Sequence, residues 1–152
     1  MKTRTVIRRR AAAQRFTRRA MASAEIHLGG CLCKGVRYQI TGPLRAIIAC
    51  HCEQCRRSSG HFAAMTSAPR ANVAFTASQT LKWFRSSETA ERGFCERCGS
   101  NLFWHPIGSD SMSITAGTLD VPSGLSIEKH IFVGNKSDYY QLHDGLPKLD
   151  RW

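Results

Sequence analysis

No apolar run in the sequence approaches the roughly 18–20 residues of a membrane-crossing helix, so a helical span is excluded. The basic residues at the N-terminus are not followed by an apolar segment of roughly 7–15 residues, so a secretory signal is not expected. Beyond the first twenty positions no long stretch carries apolar residues at helical spacing, and nothing repeats at a solenoid period. A helix bundle and a repeat array are both excluded. Acidic residues are missing from positions 1–20 altogether. The seven cysteines are an odd number, which rules out a framework built of disulfides alone.

The missing acids explain most of the charge. The net charge is +11, and eight basic residues (Lys2, Arg4, Arg8, Arg9, Arg10, Arg15, Arg18 and Arg19) lie in the first twenty, leaving +3 for residues 21–152. The folded part is therefore only mildly basic, and nucleic acid is not an expected partner for it. Residues 1–22 read as a basic tail, disordered or a start-site artefact preceding Met21. A targeting presequence and an arm for an anionic partner are the alternatives. Residues 23–152, in a chain that is 42% hydrophobic, suffice for one domain with its own core. Without a signal peptide a reducing, cytoplasmic setting is expected, where clustered cysteines favour metal over disulfide.

Short strand-like segments punctuated by turn residues fill that domain. "VRYQIT" alternates and ends at Gly42-Pro43, and "RAIIAC" leads into a cysteine cluster. "TLKWFRS", "ERGFC", "NLFWH", "SMSITAGTL" and "IEKHIFVG" follow, separated by Gly, Ser, Asn or Pro. Short helical turns are expected after Cys52 and near "NKSDYY". The fold class is all-β: small, mostly antiparallel sheets in a single zinc-stabilised domain.

The cysteines fall into "CLC" (Cys31, Cys33), "CHCEQC" (Cys50, Cys52, Cys55) and "FCERCG" (Cys95, Cys98). The last has the form of a zinc knuckle, whose C-x-x-C turn aims both sulfurs at one ion, with Gly99 permitting the tight turn. A closed tetrahedral zinc needs four ligands. Pairing the knuckle with "CLC" completes such a site and leaves Cys50, Cys52 and Cys55 as a second site of three thiolates. Three protein ligands with an open position mark a reactive zinc. Zn²⁺ with three thiolates carries −1, a centre suited to an incoming thiol that loses its proton and stays nucleophilic. Closure of that site by water or by His51 is the alternative. Neighbouring residues of an extended stretch point to opposite faces, which turns His51 away from the metal.

"GGCLCKGVRYQITGP", "ACHCEQCRRSSGHFAA", "ERGFCERCGSNLFW" and "HIFVGNKSDYYQLHDGLP" together resemble the glutathione-dependent formaldehyde-activating enzyme family, whose domain is shared with centromere protein V. The resemblance spans roughly residues 28–148. It implies a β-rich fold with two zinc ions, a structural one on Cys31, Cys33, Cys95 and Cys98 and a reactive one on Cys50, Cys52 and Cys55. It further implies a zinc-dependent carbon–sulfur lyase or synthase joining glutathione and formaldehyde through a zinc-bound thiolate. A non-catalytic two-zinc binding module with an Arg-rich tail is the alternative function.

Arg56 and Arg57 follow Cys55 and are candidates to hold a substrate carboxylate through forked hydrogen bonds. His61 and His105 are candidate proton donors, since histidine titrates near neutrality. Trp83, Phe84, Phe94, Phe103 and Trp104 are expected in the core or on a sheet surface. "HDGLP", residues 143–147, reads as a turn without a chemical role.

Overall fold

The computed structural model describes residues 25–152, and the basic tail expected over 1–22 lies outside the described residues. Two sheets carry the fold. The smaller one contains β1 (Ile26–Gly30), β2 (Arg37–Thr41) and β5 (Val73–Ala77) in the order β1-β2-β5. The larger one has eight strands. They are β3 (Ile47–Cys50), β4 (Ala63–Pro69), β6 (Leu81–Arg85), β7 (Ala90–Cys95), β8 (Asn101–Pro106), β9 (Ser111–Thr115), β10 (Ile127–Ile131) and β11 (Lys148–Leu149). Their order is β11-β10-β3-β4-β9-β8-β7-β6. Most pairings are antiparallel, as the alternating segments predict. β10 is the exception, running parallel to both β3 and β11.

Alternation sorts side chains between the two faces of the large sheet, interrupted in β8 at Leu102, where the register with β7 shifts and both Leu102 and Phe103 enter the core. Along β4, Ala63 and Met65 face one side while Ala68 joins the main core on the other. Along β8, Phe103 is fully buried in that core and Trp104 points the opposite way, toward Cys55, Ala63 and Met65. The core is the space between the sheets. Tyr38 and Ile40 of β2 fill it against Leu102, Phe103, Met112 and Ile114. Tyr38 meets Phe103 edge-on with ring centroids 5.2 Å apart, and its hydroxyl pairs with Thr118 Oγ1 at 2.7 Å. Trp83 stacks on Phe103 from the other side at 6.0 Å. Gly29 is required beneath Tyr38, because a Cβ there would overlap the phenol ring and lie 2.6 Å from the Thr118 carbonyl oxygen.

The expected turn after Cys52 is a helix, α1 (Glu53–Ser59), capped at its start by Cys52 and ended by Gly60 in the left-handed region at φ 76°. Near "NKSDYY" there is a single 3₁₀ turn, Val133–Asn135. The opposite face of the large sheet, bearing Trp104, Met65 and Ala63, packs against α1. That face carries Cys50, Cys52 and Cys55.

Candidate metal centres and the adjoining cavity

The first cysteine group joins the two sheets. Cys31 and Cys33 lie in the connection between β1 and β2, Cys95 ends β7, and Cys98 sits in the β7–β8 turn. Their four sulfurs lie within 4.8 Å of one another. A tetrahedral zinc with bonds of about 2.3 Å sets its sulfurs about 3.8 Å apart. The Cys31–Cys33 and Cys33–Cys95 separations are both 3.6 Å, so the donor set fits that ion. Gly99, at φ 73°, lets the turn close and donates its N–H to the Cys95 carbonyl at 2.8 Å.

Polar neighbours prepare these sulfurs for metal. The Val36 amide donates to Cys31 Sγ at 3.2 Å, and the Thr80 hydroxyl lies 3.1 Å from Cys95 Sγ. Ser100 Oγ lies 3.3 Å from Cys98 Sγ and accepts from the Leu32 amide at 3.1 Å. Hydrogen bonding from Ser100 pulls the Cys98 thiol down to about 5. Hydrogen-bonded thiolates of this kind orient and retain a structural ion.

The second group assembles around α1. Cys50 ends β3, Cys52 caps the helix, and Cys55 completes its first turn, with all three sulfurs within 4.8 Å. Cys52 Sγ accepts from the Cys55 amide at 3.4 Å. The trio concentrates negative charge on Cys52. Its thiol is pushed down to about 2, chiefly because the Cys50 and Cys55 thiols donate to it. Cys50 and Cys55 are correspondingly raised, each bonded to the other members of the trio. Arg92 of β7 adds a positive charge, its Nη2 3.7 Å from Cys55 Sγ and 3.4 Å from Gln54 Oε1. The side chain is only 8% exposed and has no carboxylate partner among the described residues. The guanidinium therefore balances the thiolate cluster, which a divalent ion would leave at −1.

Beside this trio is a cavity of about 470 Å³. Ile48, Met65, Trp104, Ile131 and Phe132 make its apolar walls, while Arg45 and Arg92 supply the positive charge. Phe132 adopts the left-handed conformation at φ 56°, a costly backbone state for a bulky side chain that here turns its ring toward the cavity.

His51 does turn away from the trio. It is fully buried, and its ring joins a chain of four side chains. His51 Nδ1 lies 2.5 Å from the Tyr140 hydroxyl and His51 Nε2 lies 2.8 Å from His130 Nδ1. His130 Nε2 lies 2.6 Å from Asp144 Oδ2. With both imidazoles neutral and Asp144 ionised, one assignment satisfies every atom. Asp144 accepts from His130 Nε2–H, His130 Nδ1 accepts from His51 Nε2–H, and His51 Nδ1 accepts from Tyr140 O–H. Burial, reinforced by the neighbouring His130, lowers His51 to about 4 and keeps it in the neutral form this pattern needs. "HDGLP" thus acquires a role: Asp144 anchors the C-terminal segment to His130 of β10, which in turn meets His51, the residue after Cys50.

The other singled-out residues lie elsewhere. Arg56 and Arg57 do not line the cavity, and Arg57 pairs with Glu53 at 2.9 Å on the exposed face of α1. His61 hydrogen-bonds the Tyr139 hydroxyl at 3.0 Å. His105 is buried between Glu91 Oε1 and the Ser109 carbonyl, each 3.1 Å from a ring nitrogen. Neither histidine reaches the cavity. Trp83 and Phe103 are core, as expected, and Phe84 is exposed, but Trp104 is a cavity wall. The arginines that do reach the site, Arg45 and Arg92, escaped the sequence reading. Arg92 had a signal: it occupies an inward position of "AERGFC", where an unpaired cation needs an anion.

Comparison with known proteins agrees with this geometry. A curated relative from Schizosaccharomyces pombe, described as an uncharacterized lyase, is 27% identical over 116 residues, which are 75% of this chain and 83% of the relative. A crystal structure of a Rhodobacter sphaeroides protein shares the fold, with a TM-score of 0.51 and 18% identity over 80% of this chain and 98% of its own. Residues 26–135, which include both cysteine groups, match the model of the glutathione-dependent formaldehyde-activating enzymes, and the chain belongs to that family.

Proposed function

We propose that the protein is a carbon–sulfur lyase of the synthase type, which adds a low-molecular-weight thiol such as glutathione to a small aldehyde such as formaldehyde and reverses that addition. One observation carries the reading: three cysteine sulfurs converge within 4.8 Å beside a cavity that also receives a buried, acid-free arginine. Two zinc ions per chain belong to it, a structural one on Cys31, Cys33, Cys95 and Cys98 and a second on Cys50, Cys52 and Cys55. At the second site zinc would lower the pKa of an arriving thiol while leaving its sulfur nucleophilic. The family name and the relative described as a lyase support the reaction class.

The remaining work falls to the chain. In the addition, sulfur bonds to the carbonyl carbon, the C=O π pair moves onto oxygen, and the proton released by the thiol ends on that oxygen. No oxidant or reductant enters. Arg92, beside Cys55, directs guanidinium donors at the developing alkoxide but keeps its own protons, so the proton that the oxygen gains is the one the thiol has lost. Ile48, Met65, Trp104 and Ile131 exclude bulk water and strengthen that charge interaction.

The test is formaldehyde–glutathione exchange followed by NMR, using the zinc-loaded chain with Cys52→Ser as control. Acceleration that vanishes in the control supports the assignment. A verified two-zinc sample that leaves the exchange at its spontaneous rate, with glutathione and with other thiols, refutes it.

A further inference from the structure

A single residue, His51, separates two members of the cysteine trio, so the spacing of Cys50 and Cys52 depends on how that residue is held. Cys50 is paired with Ile131 on β10 and with Ala63 on β4, and the His51 amide donates to the Ile131 carbonyl at 2.9 Å. There the ladder stops. β3 ends at Cys50, and Cys52 already caps α1, so the change from strand to helix is made at His51 and Cys52.

The side chain supplies what the backbone leaves open. It is 0% exposed and uses both ring nitrogens, Nδ1 on the Tyr140 hydroxyl at 2.5 Å and Nε2 on His130 Nδ1 at 2.8 Å. His130 is held in turn by Asp144 at 2.6 Å. The Phe62 ring tilts against His51 at a centroid distance of 5.1 Å and meets His130 edge-on at 6.4 Å. Packing alone does not call for such a chain. A leucine would fill the space without desolvating two imidazoles and a phenol hydroxyl, whose internal hydrogen bonds roughly replace those lost to water. Hydrogen bonds at both nitrogens add direction: they fix the rotation of the ring and, through it, the backbone between the two cysteines. Groups one step behind a metal's ligands hold their orientation, and removing one typically costs about 10–100-fold in metal affinity.

We infer that His51, His130 and Tyr140 are positioning residues of the second metal centre, fixing the Cys50–Cys52 spacing from the side away from the cavity, so that the segment carrying Tyr140 governs how the trio holds its ion. None of the three lines the cavity, and they act through the chain that bears the ligands. This assignment rests on the reading of Cys50, Cys52 and Cys55 as a metal site and adds the residues that tune it.

Cadmium NMR of the full chain, loaded with Cd²⁺ in place of zinc, tests this without turnover. The four-cysteine and three-cysteine sites differ in sulfur count and give separate resonances, the second identified by its shift or loss in Cys52→Ser. Chelator titration then reads the affinity of each ion from its own signal. Tyr140→Phe and His130→Leu should shift the second resonance and weaken that ion about tenfold or more, leaving the first resonance in place. His130→Asn, whose Oδ1 accepts in place of Nδ1, should restore most of the affinity that His130→Leu loses. Gly29→Ala, which strains the core beneath Tyr38 instead, should leave the second resonance unmoved. Wild-type shift and affinity in Tyr140→Phe overturn the inference, whether or not His130→Leu folds. An equal shift in Gly29→Ala also overturns it, because the effect would then be one of general stability. A single cadmium ion per wild-type chain would refute the metal reading of the trio and the inference with it. Two ions that respond to these variants, without aldehyde exchange in the zinc-loaded chain, would refute the proposed reaction and leave the positioning role standing.

Discussion

Replacing Tyr140 with phenylalanine removes a single oxygen and should destabilise the protein by about 1–3 kcal/mol. The size follows from the tautomers. Asp144 is ionised and accepts only, so a neutral His130 presents Nε2–H to it and Nδ1 to His51. His51 therefore presents Nε2–H to His130 and is left with Nδ1 as an acceptor, which the Tyr140 hydroxyl satisfies at 2.5 Å. With His51 at 0% exposure, water cannot replace that hydroxyl without opening the segment that carries Tyr140. The variant keeps the ring, so its stacking on His51 at a centroid distance of 5.8 Å survives and the loss isolates the hydrogen bond. Urea denaturation of zinc-loaded wild type and variant measures it, with equal slopes expected because the surface exposed on unfolding is unchanged. A difference below about 0.5 kcal/mol, or any gain, would refute the chain of hydrogen bonds as drawn.

Other outcomes follow from the same geometry. Cys98→Ser should abolish or severely lower cooperative thermal unfolding, because the four-cysteine site joins the two sheets, whereas Cys52→Ser should lower the melting temperature far less; the opposite order would exchange the two roles. Gly29→Ala should cost about 1–3 kcal/mol by driving a methyl group into the Tyr38 ring, measured by chemical denaturation. Arg57→Ala should change stability by less than about 0.5 kcal/mol, since its pair with Glu53 is exposed, and should leave thiol–aldehyde exchange untouched. Asp144 has its carboxyl held below the ordinary value of 3.8, first by the hydrogen bond from His130. Its contribution is therefore fully present above that value and disappears as pH falls through the lower folded-state value. Asp144→Asn should flatten this acid limb in denaturation curves recorded from pH 5 downward.

What the sequence disclosed and what it withheld divide along the range of the interactions. The two cysteine groups that could hold metal were legible because cysteine spacing is local: C-x-x-C and C-x-C turns bring two sulfurs together within one turn, and ligand counting then joins the groups across the chain. Most strands were legible for the same reason, from alternation in segments such as "VRYQIT" and "NLFWH". β1, β4, β5 and β11 were not. Gly29 and Gly30 blur the pattern of the first, and "AAMTSAP" is too rich in small residues to show which face is apolar. The parallel placement of β10 was equally hidden, because β3 and β10 are joined by a connection that spans most of the domain.

The arginines show the limit most clearly. Arg56 and Arg57 were the sequence choice because they adjoin Cys55, yet a helix of seven residues turns Arg57 out to Glu53, and neither arginine lines the cavity. Arg45 and Arg92 reach the site from β3's leading edge and from β7, brought there by register and by the face on which alternation places them. Adjacency in sequence locates atoms that bind one ion, where the ligands must lie within a few ångströms. A cavity is bounded by side chains from several strands, so its chemistry is written in pairing partners. Which side chains reach this cavity is accordingly a property of sheet register, and the cysteine motifs by themselves locate only the two groups of sulfurs.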